Sequence, residues 1–332
     1  MVECDYSSTC HCKRSEAILK KTGGWILDGP SVSIVATMTR QYSVLALGVI
    51  SVSFAAVFIR LADVDTGTPP LVIAAYRLCL ASLILAPAAL LRSRQEIRRL
   101  ARRDIILAVA SGAFLAFHFA LWISSLSYTS VATSVVLVTI TPIFVAVASF
   151  LLFRERLTWQ VMAGISVCLA GAVLIGYGNW QISSESLFGG LLALLGALAV
   201  AGYLLIGRRL RQEMSLLSYS FLVYSSAAVM LLVAALVRGY PLFDYSGETY
   251  LWMVMLALVP QLLGHMSLVW ALRFVSATLV TIAVLGEPVG ATILAFLILD
   301  EAPTWSEIVG GMLILAGIFM AFRRGGTTVI ER

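Results

Sequence analysis

Charge is scarce in this chain. Asp, Glu, Lys and Arg make up 12% of its 332 residues, about half of the roughly one quarter that a soluble domain carries. That deficit excludes a large water-soluble module, and with it a receptor ectodomain or a soluble catalytic domain. Histidine numbers three and cysteine five. Four of these eight residues stand at Cys4, Cys10, His11 and Cys12, where the last three are contiguous and lack the loop that separates ligands in zinc sites. No metal site is expected. Cys79 and Cys168 fall inside apolar runs and read as packing residues. There is no Walker loop, so direct ATP drive by this chain is not expected, and no HExxH motif or spaced Ser, His and Asp set. No catalytic residue and no cofactor are expected, and an enzyme is the disfavoured reading.

What is present in abundance is hydrophobic surface, at 60% of residues. A helix needs roughly 20 apolar residues to cross about 30 Å of hydrocarbon. Ten runs meet that length, at 42–61, 69–91, 105–125, 130–152, 158–177, 188–207, 215–237, 250–271, 276–298 and 304–322. The connections between them are short. The expected fold class is an all-α membrane protein of ten transmembrane helices.

Basic residues remain on the cytoplasmic side of short loops. Residues 92–103 hold six arginines, and Arg154 with Arg156, Arg208 with Arg209 and Arg211, Arg273, and Arg323 with Arg324 follow at every second loop. The alternate loops carry Asp63 and Asp65, Glu185, Asp244 and Glu248, and Asp300 and Glu301, with Arg238 the exception. Ten crossings with both termini in the cytoplasm fit this pattern, in the cell membrane. The net charge of +5 then faces anionic lipid and is no nucleic-acid signal.

The stretches "FRERLTW" and "LDEAPTW" expose an internal repeat. An offset of 146 pairs Glu155 with Glu301, Thr158 with Thr304, Trp159 with Trp305, Gly164 with Gly310, Gly171 with Gly317 and Pro142 with Pro288. It extends upstream to Leu126 with Leu272 and Ser130 with Ser276. Each copy has five helices, an odd number, so the second enters the membrane from the opposite side. Two inverted five-helix repeats are a transporter architecture, in which the halves rock about a site near the midplane. The expected boundaries are a disordered cytoplasmic tail at 1–40, a first repeat at 41–178, a second at 179–324 and a short tail at 325–332.

Four segments carry a resemblance: "VFIRLA" at 57–62, "PPLVIAAYRLCLAS" at 69–82, "SLSYTSVATSVVLVTITPIFVAVASFLLFRERLT" at 125–158 and "LGEPVGATILAFLILDEAPT" at 285–304. Together they resemble the paired EamA domains of the drug/metabolite transporter superfamily. The resemblance implies an exporter of small metabolites, frequently amino acids. It further implies a central cavity lined chiefly by helices 1, 3, 4, 6, 8 and 9, with helices 5 and 10 to one side. Multidrug and nucleotide-sugar carriers belong to the same superfamily and stay open as alternatives.

Ionisable residues in hydrocarbon are costly and tend to mark function. Glu287, in the ninth span, reads equally as a substrate or proton group and as a structural charge. Arg77 in "AYRL" and Arg60 near a span end read as structural charges. Pro142 and Pro288 each withdraw a helix hydrogen bond, releasing the carbonyls of Val138 and Val284, either to line a cavity or to kink a helix. Thr141 is a small polar neighbour. His118 and Trp122 share a face of the third span, as do Gln261 and His265 in the eighth, and both pairs are candidates for the pathway. Tyr203 and Ser53 are weaker candidates. The expected partners are a small-molecule substrate and the bilayer, with a proton and a second copy of the chain as open possibilities.

Overall fold

The structure, a computed structural model, describes residues 30–62, 67–129, 131–154, 158–177, 183–299 and 302–325. Among the described residues there is no strand. Ten helices among the described residues are long and apolar enough to cross a membrane: α1 (Thr39–Leu61), α2 (Pro70–Arg92), α3 (Arg102–Ser125), α4 (Thr133–Leu152), α5 (Trp159–Gly176), α6 (Ser184–Leu210), α7 (Leu216–Val237), α8 (Gly247–Ala271), α9 (Ala277–Ile298) and α10 (Trp305–Phe322). The candidate tail thiols and His11, together with Glu155 and Glu301, lie outside the described residues. The chain divides into residues 1–40 and a main unit, Gln41–Arg332. The helix containing α1 is Pro30–Leu61.

The repeat is visible in helix boundaries. Two spans are broken, each by a proline that opens a new helix. Span α4 consists of helices Val131–Val138 and Thr141–Phe153, and α9 of Ala277–Val284 and Glu287–Leu299. All four boundaries of the first pair map onto the second by the offset of 146. Proline is well suited to a first helical turn, where its missing N–H is not needed. The carbonyl that Pro142 would orphan is recovered locally: the Thr141 hydroxyl donates to the Val138 oxygen at 2.7 Å, and that of Thr139 to Val136 at 2.8 Å. Irregular backbone at membrane depth is tolerated where such partners exist or where it borders a cavity.

Span α8 departs from its mate α3 by one residue, 25 against 24. The extra residue is absorbed in a π-helical stretch, Ala257–His265, which widens the turn and changes where Gln261 and His265 point. Such insertions are frequent at functional positions.

Packing shows the inversion directly. Spans α5 and α10 make the most extensive helix pair, followed by α3 with α6. A methyl group on Gly164 would lie 2.7 Å from the Gly317 oxygen, and one on Gly310 2.5 Å from the Gly171 oxygen. Early residues of one helix therefore meet late residues of the other, so the two run antiparallel. Glycine is required here because the backbones touch, the arrangement by which membrane helices gain dispersion contacts without a hydrophobic driving force. Trp159 and Trp305, repeat mates at the starts of these antiparallel helices, are 69% and 81% exposed. They sit at opposite ends of the pair, as indoles at the two membrane interfaces do. The protein is thus an all-α, ten-helix membrane protein made of two inverted five-helix repeats.

Candidate functional site: a cavity between the two repeats

A cavity with about 640 Å³ of empty space opens within the main unit. Its wall is contributed by α1 (Val52, Ala55), α2 (Arg77), α3 (His118, Trp122), α4 (Val138, Thr139, Thr141, Pro142), α6 (Val200, Leu204), α8 (His265, Leu268) and α9 (Thr281, Val284, Glu287). Spans α5 and α10 take no part, and α2 joins the six helices that the resemblance implied. Both broken helices reach the cavity at the break itself. Thr141 and Glu287 occupy the same repeat position, so an identical backbone feature presents a hydroxyl from one half and a carboxyl from the other.

Glu287 begins the second helix of α9, where the helix dipole favours an anion, and is 9% exposed. Pro288 is buried beside it but outside the wall. Arg77 is 0% exposed. Its Nε donates to Gln261 Oε1 at 2.8 Å, and its guanidinium carbon lies 4.1 Å from the centroid of the Phe119 ring, a cation–π contact. Among the described residues, Nη1 and Nη2 have no hydrogen-bond partner. Glu287 is within electrostatic range of Arg77 without bonding these nitrogens. Arg60, by contrast, is exposed at the end of α1.

The two histidines come from opposite halves. His118 is held by its Nδ1 against the Gly196 carbonyl at 3.0 Å and stacks on Trp122 with rings 6° apart in plane. His265 meets the Phe119 ring edge-on at 5.4 Å. Phe119 and His265 are repeat mates by the offset of 146. Gln261 and Tyr203 are fully buried and stand behind the wall, next to Arg77, which is part of it. Ser53 is also outside it, bonded to the Val49 oxygen at 2.9 Å.

Two residues went unnoticed in the sequence. Phe119 fixes the guanidinium plane, and Tyr224, in α7, lies with Tyr203 near Arg77. A signal for the latter existed: Ser218, Tyr219, Ser220, Tyr224, Ser225 and Ser226 crowd one span with hydroxyls.

Ten apolar helices in two inverted halves, enclosing a cavity that holds charge at membrane depth, define a membrane transporter of small molecules. The sequence profile of the EamA-like transporter family matches this chain twice, at residues 40–177 and 187–323, and the chain belongs to that family. It is a multi-pass transporter and not an enzyme.

The chain is 26% identical over 312 residues to the uncharacterised transporter YetK of Bacillus subtilis (strain 168), covering 91% of this chain and 90% of that one. It is 26% identical over 258 residues to YdfC, another uncharacterised transporter of that strain, covering 77% and 83%. A probable terminal-alkyne amino-acid exporter of Streptantibioticus cattleyicolor is 27% identical over 259 residues, covering 75% and 82%. A solved crystal structure shares the fold with a TM-score of 0.72 at 19% identity, covering 86% of this chain and 97% of that one.

Proposed function

We propose that this transporter exports small zwitterionic metabolites, amino acids foremost, by alternating access about the central cavity. It does so from the cytoplasm across the cell membrane, with both termini inside. The observation that carries the reading is the pairing of Arg77 and Glu287, opposite charges in one otherwise largely apolar cavity between the repeats. A zwitterion offers a carboxylate to the first, an ammonium to the second and an apolar side chain to the remaining wall. The amino-acid exporter among the relatives supports the same class of cargo. A permanently cationic drug would meet the Arg77 charge, and this weighs against the multidrug reading. Glu287 is the natural carrier if a proton is exchanged for cargo, because a carboxyl group can alternate between holding a proton and holding an ammonium.

The test is efflux from vesicles loaded with labelled amino acids, cationic dyes or a nucleotide sugar, with and without a pH gradient. Amino-acid efflux above that of empty vesicles is expected. Efflux of dye or nucleotide sugar alone would overturn the proposal.

A further inference from the structure

We propose that Arg77, Gln261, Tyr203 and Tyr224 form a carboxylate-binding subsite in and behind the cavity wall, which seats the carboxylate of the transported solute. The inference rests on the zwitterion reading above and specifies where one end of the solute binds.

These four side chains come from α2, α8, α6 and α7, and each is 0% exposed. Among the described residues, five of their polar groups make no hydrogen bond of normal distance and angle: Arg77 Nη1 and Nη2, Gln261 Nε2, and the Tyr203 and Tyr224 hydroxyls. The groups are neighbours: both tyrosines are within electrostatic range of Arg77, and the Tyr224 oxygen faces the Tyr203 hydroxyl and the Gln261 amide as a weak acceptor, leaving the two Arg77 nitrogens and the Tyr224 hydrogen unmatched.

What they have in common is donor character. A guanidinium only donates, and the Gln261 oxygen is already taken by Arg77 Nε, leaving its NH2 group; each phenol has a hydrogen to give. The nearby Tyr219 hydroxyl is satisfied separately by Ser111 at 2.7 Å. Buried donors without acceptors are expensive, and a pocket of several donors around a cation is matched by an acceptor-only anion. A carboxylate has two oxygens and about four lone-pair sites, and takes an Arg fork in bidentate fashion.

Geometry reinforces the assignment. The Phe119 ring at 4.1 Å and the Gln261 bond at Nε hold the guanidinium plane, so the fork is set before the solute arrives. Arg77 itself borders the cavity, and provides the point of entry. The adjoining wall, with Val52, Ala55, Val138, Leu204 and Leu268, fits an aliphatic remainder.

The experiment uses the full chain in lipid nanodiscs, with L-leucine, leucinamide, 3-methylbutylamine, 4-methylpentanoate and chloride as probes. Binding is followed by calorimetry and thermal unfolding. The two carboxylates should bind, while leucinamide and 3-methylbutylamine should bind at least about tenfold more weakly, the loss expected for a hydrogen-bonded charge. Tyr203→Phe combined with Tyr224→Phe removes two buried hydroxyls that make no hydrogen bond of normal geometry. The unliganded protein should therefore melt higher, while 4-methylpentanoate binding falls about tenfold or more.

A purely structural cluster would lose stability in the double variant and keep its affinity, which would overturn the subsite. Equal binding of leucine and leucinamide would do the same, as expected if the donors hold only buried water. Full competition by chloride at concentrations that saturate no carboxylate would reassign the subsite to a free halide and overturn the proposal. Tyrosine-dependent binding of 4-methylpentanoate without amino-acid efflux would uphold the subsite and reject the amino-acid reading. Equal efflux of leucine and leucinamide would uphold the transport reading and reject the subsite.

Discussion

The Cys168 thiol donates to the Ile314 carbonyl at 3.3 Å, and the two residues are separated by 146 positions. Since 146 is the repeat offset, Ile314 is the repeat mate of Cys168. A residue that touches its own mate marks the pseudo-two-fold axis, which therefore passes between α5 and α10 at this point. Gly164 against Gly317 and Gly171 against Gly310 flank it symmetrically, in the self-complementary manner of a two-fold dimer interface. This seam lies away from the cavity and holds the two halves together while leaving the pathway helices unencumbered.

The seam should be intolerant of volume. A methyl group at Gly317 would sit 2.6 Å from the Gly164 oxygen and 2.8 Å from the Cys168 nitrogen, both backbone atoms, whereas one at Gly311 meets nothing closer than 3.6 Å. Gly317→Ala is expected to destabilise the protein by about 1–3 kcal/mol through overpacking, and Gly311→Ala to leave it unchanged. Thermal unfolding of the two purified variants compares them directly.

Glu287 should matter more to transport than to folding. An acidic group at the centre of a span costs roughly 2.5–3.5 kcal/mol on insertion scales, and Gln keeps its shape while relieving that cost. Glu287→Gln is expected to insert with at least the yield of the parent and to lose at least about 90% of efflux, which corresponds to about 1.4 kcal/mol of activation free energy. Any dependence on a pH gradient should vanish with it. Folded yield and efflux measured side by side decide the matter; undiminished, pH-sensitive efflux in the Gln variant would refute a transport role.

At the arginine-rich end, Glu96 caps a helix that is remote in sequence. Its Oε1 accepts from the Ser215 backbone N–H and its Oε2 from the Ser218 hydroxyl, both at 2.7 Å, at the start of α7. Partial burial alone would raise its pKa, but the Ser215 and Ser218 bonds and nearby Arg211 outweigh that and hold the carboxyl below the usual range. A depressed folded-state pKa means that this stabilisation is complete above the unfolded-state value, about 4.3. It is lost as pH falls through the folded-state value. Glu96→Gln should cost about 0.5–2 kcal/mol at pH 7, the range for a lost helix cap. The gap to the parent should close as pH drops below about 4, which melting curves across that range would show.

Topology gives a further expectation. Cysteine placed at residue 155 should be labelled only from the cytoplasm and cysteine at residue 301 only from outside, in a background lacking the native cysteines. Labelling of both from one side would contradict the inverted arrangement.

The sequence by itself determined the number of spans and their inversion. These follow from local and periodic quantities: the length of apolar runs, the placement of arginine and one constant offset. It also placed Thr141, Pro142 and Glu287 at the two helix breaks, because proline acts on its own turn. What only the tertiary structure decided is which side chains share a space. Arg77 reads in sequence as a structural charge, yet it borders the cavity with its terminal nitrogens unmatched. Its neighbours Gln261, Tyr203 and Tyr224 come from three other helices, up to 184 positions away in the case of Gln261. Gln261 lies in the π-helical stretch of α8, and no periodicity in the chain announces such a stretch in mid-helix. Side chains on helices distant in sequence come together only when those helices pack, and that is a property of the tertiary structure.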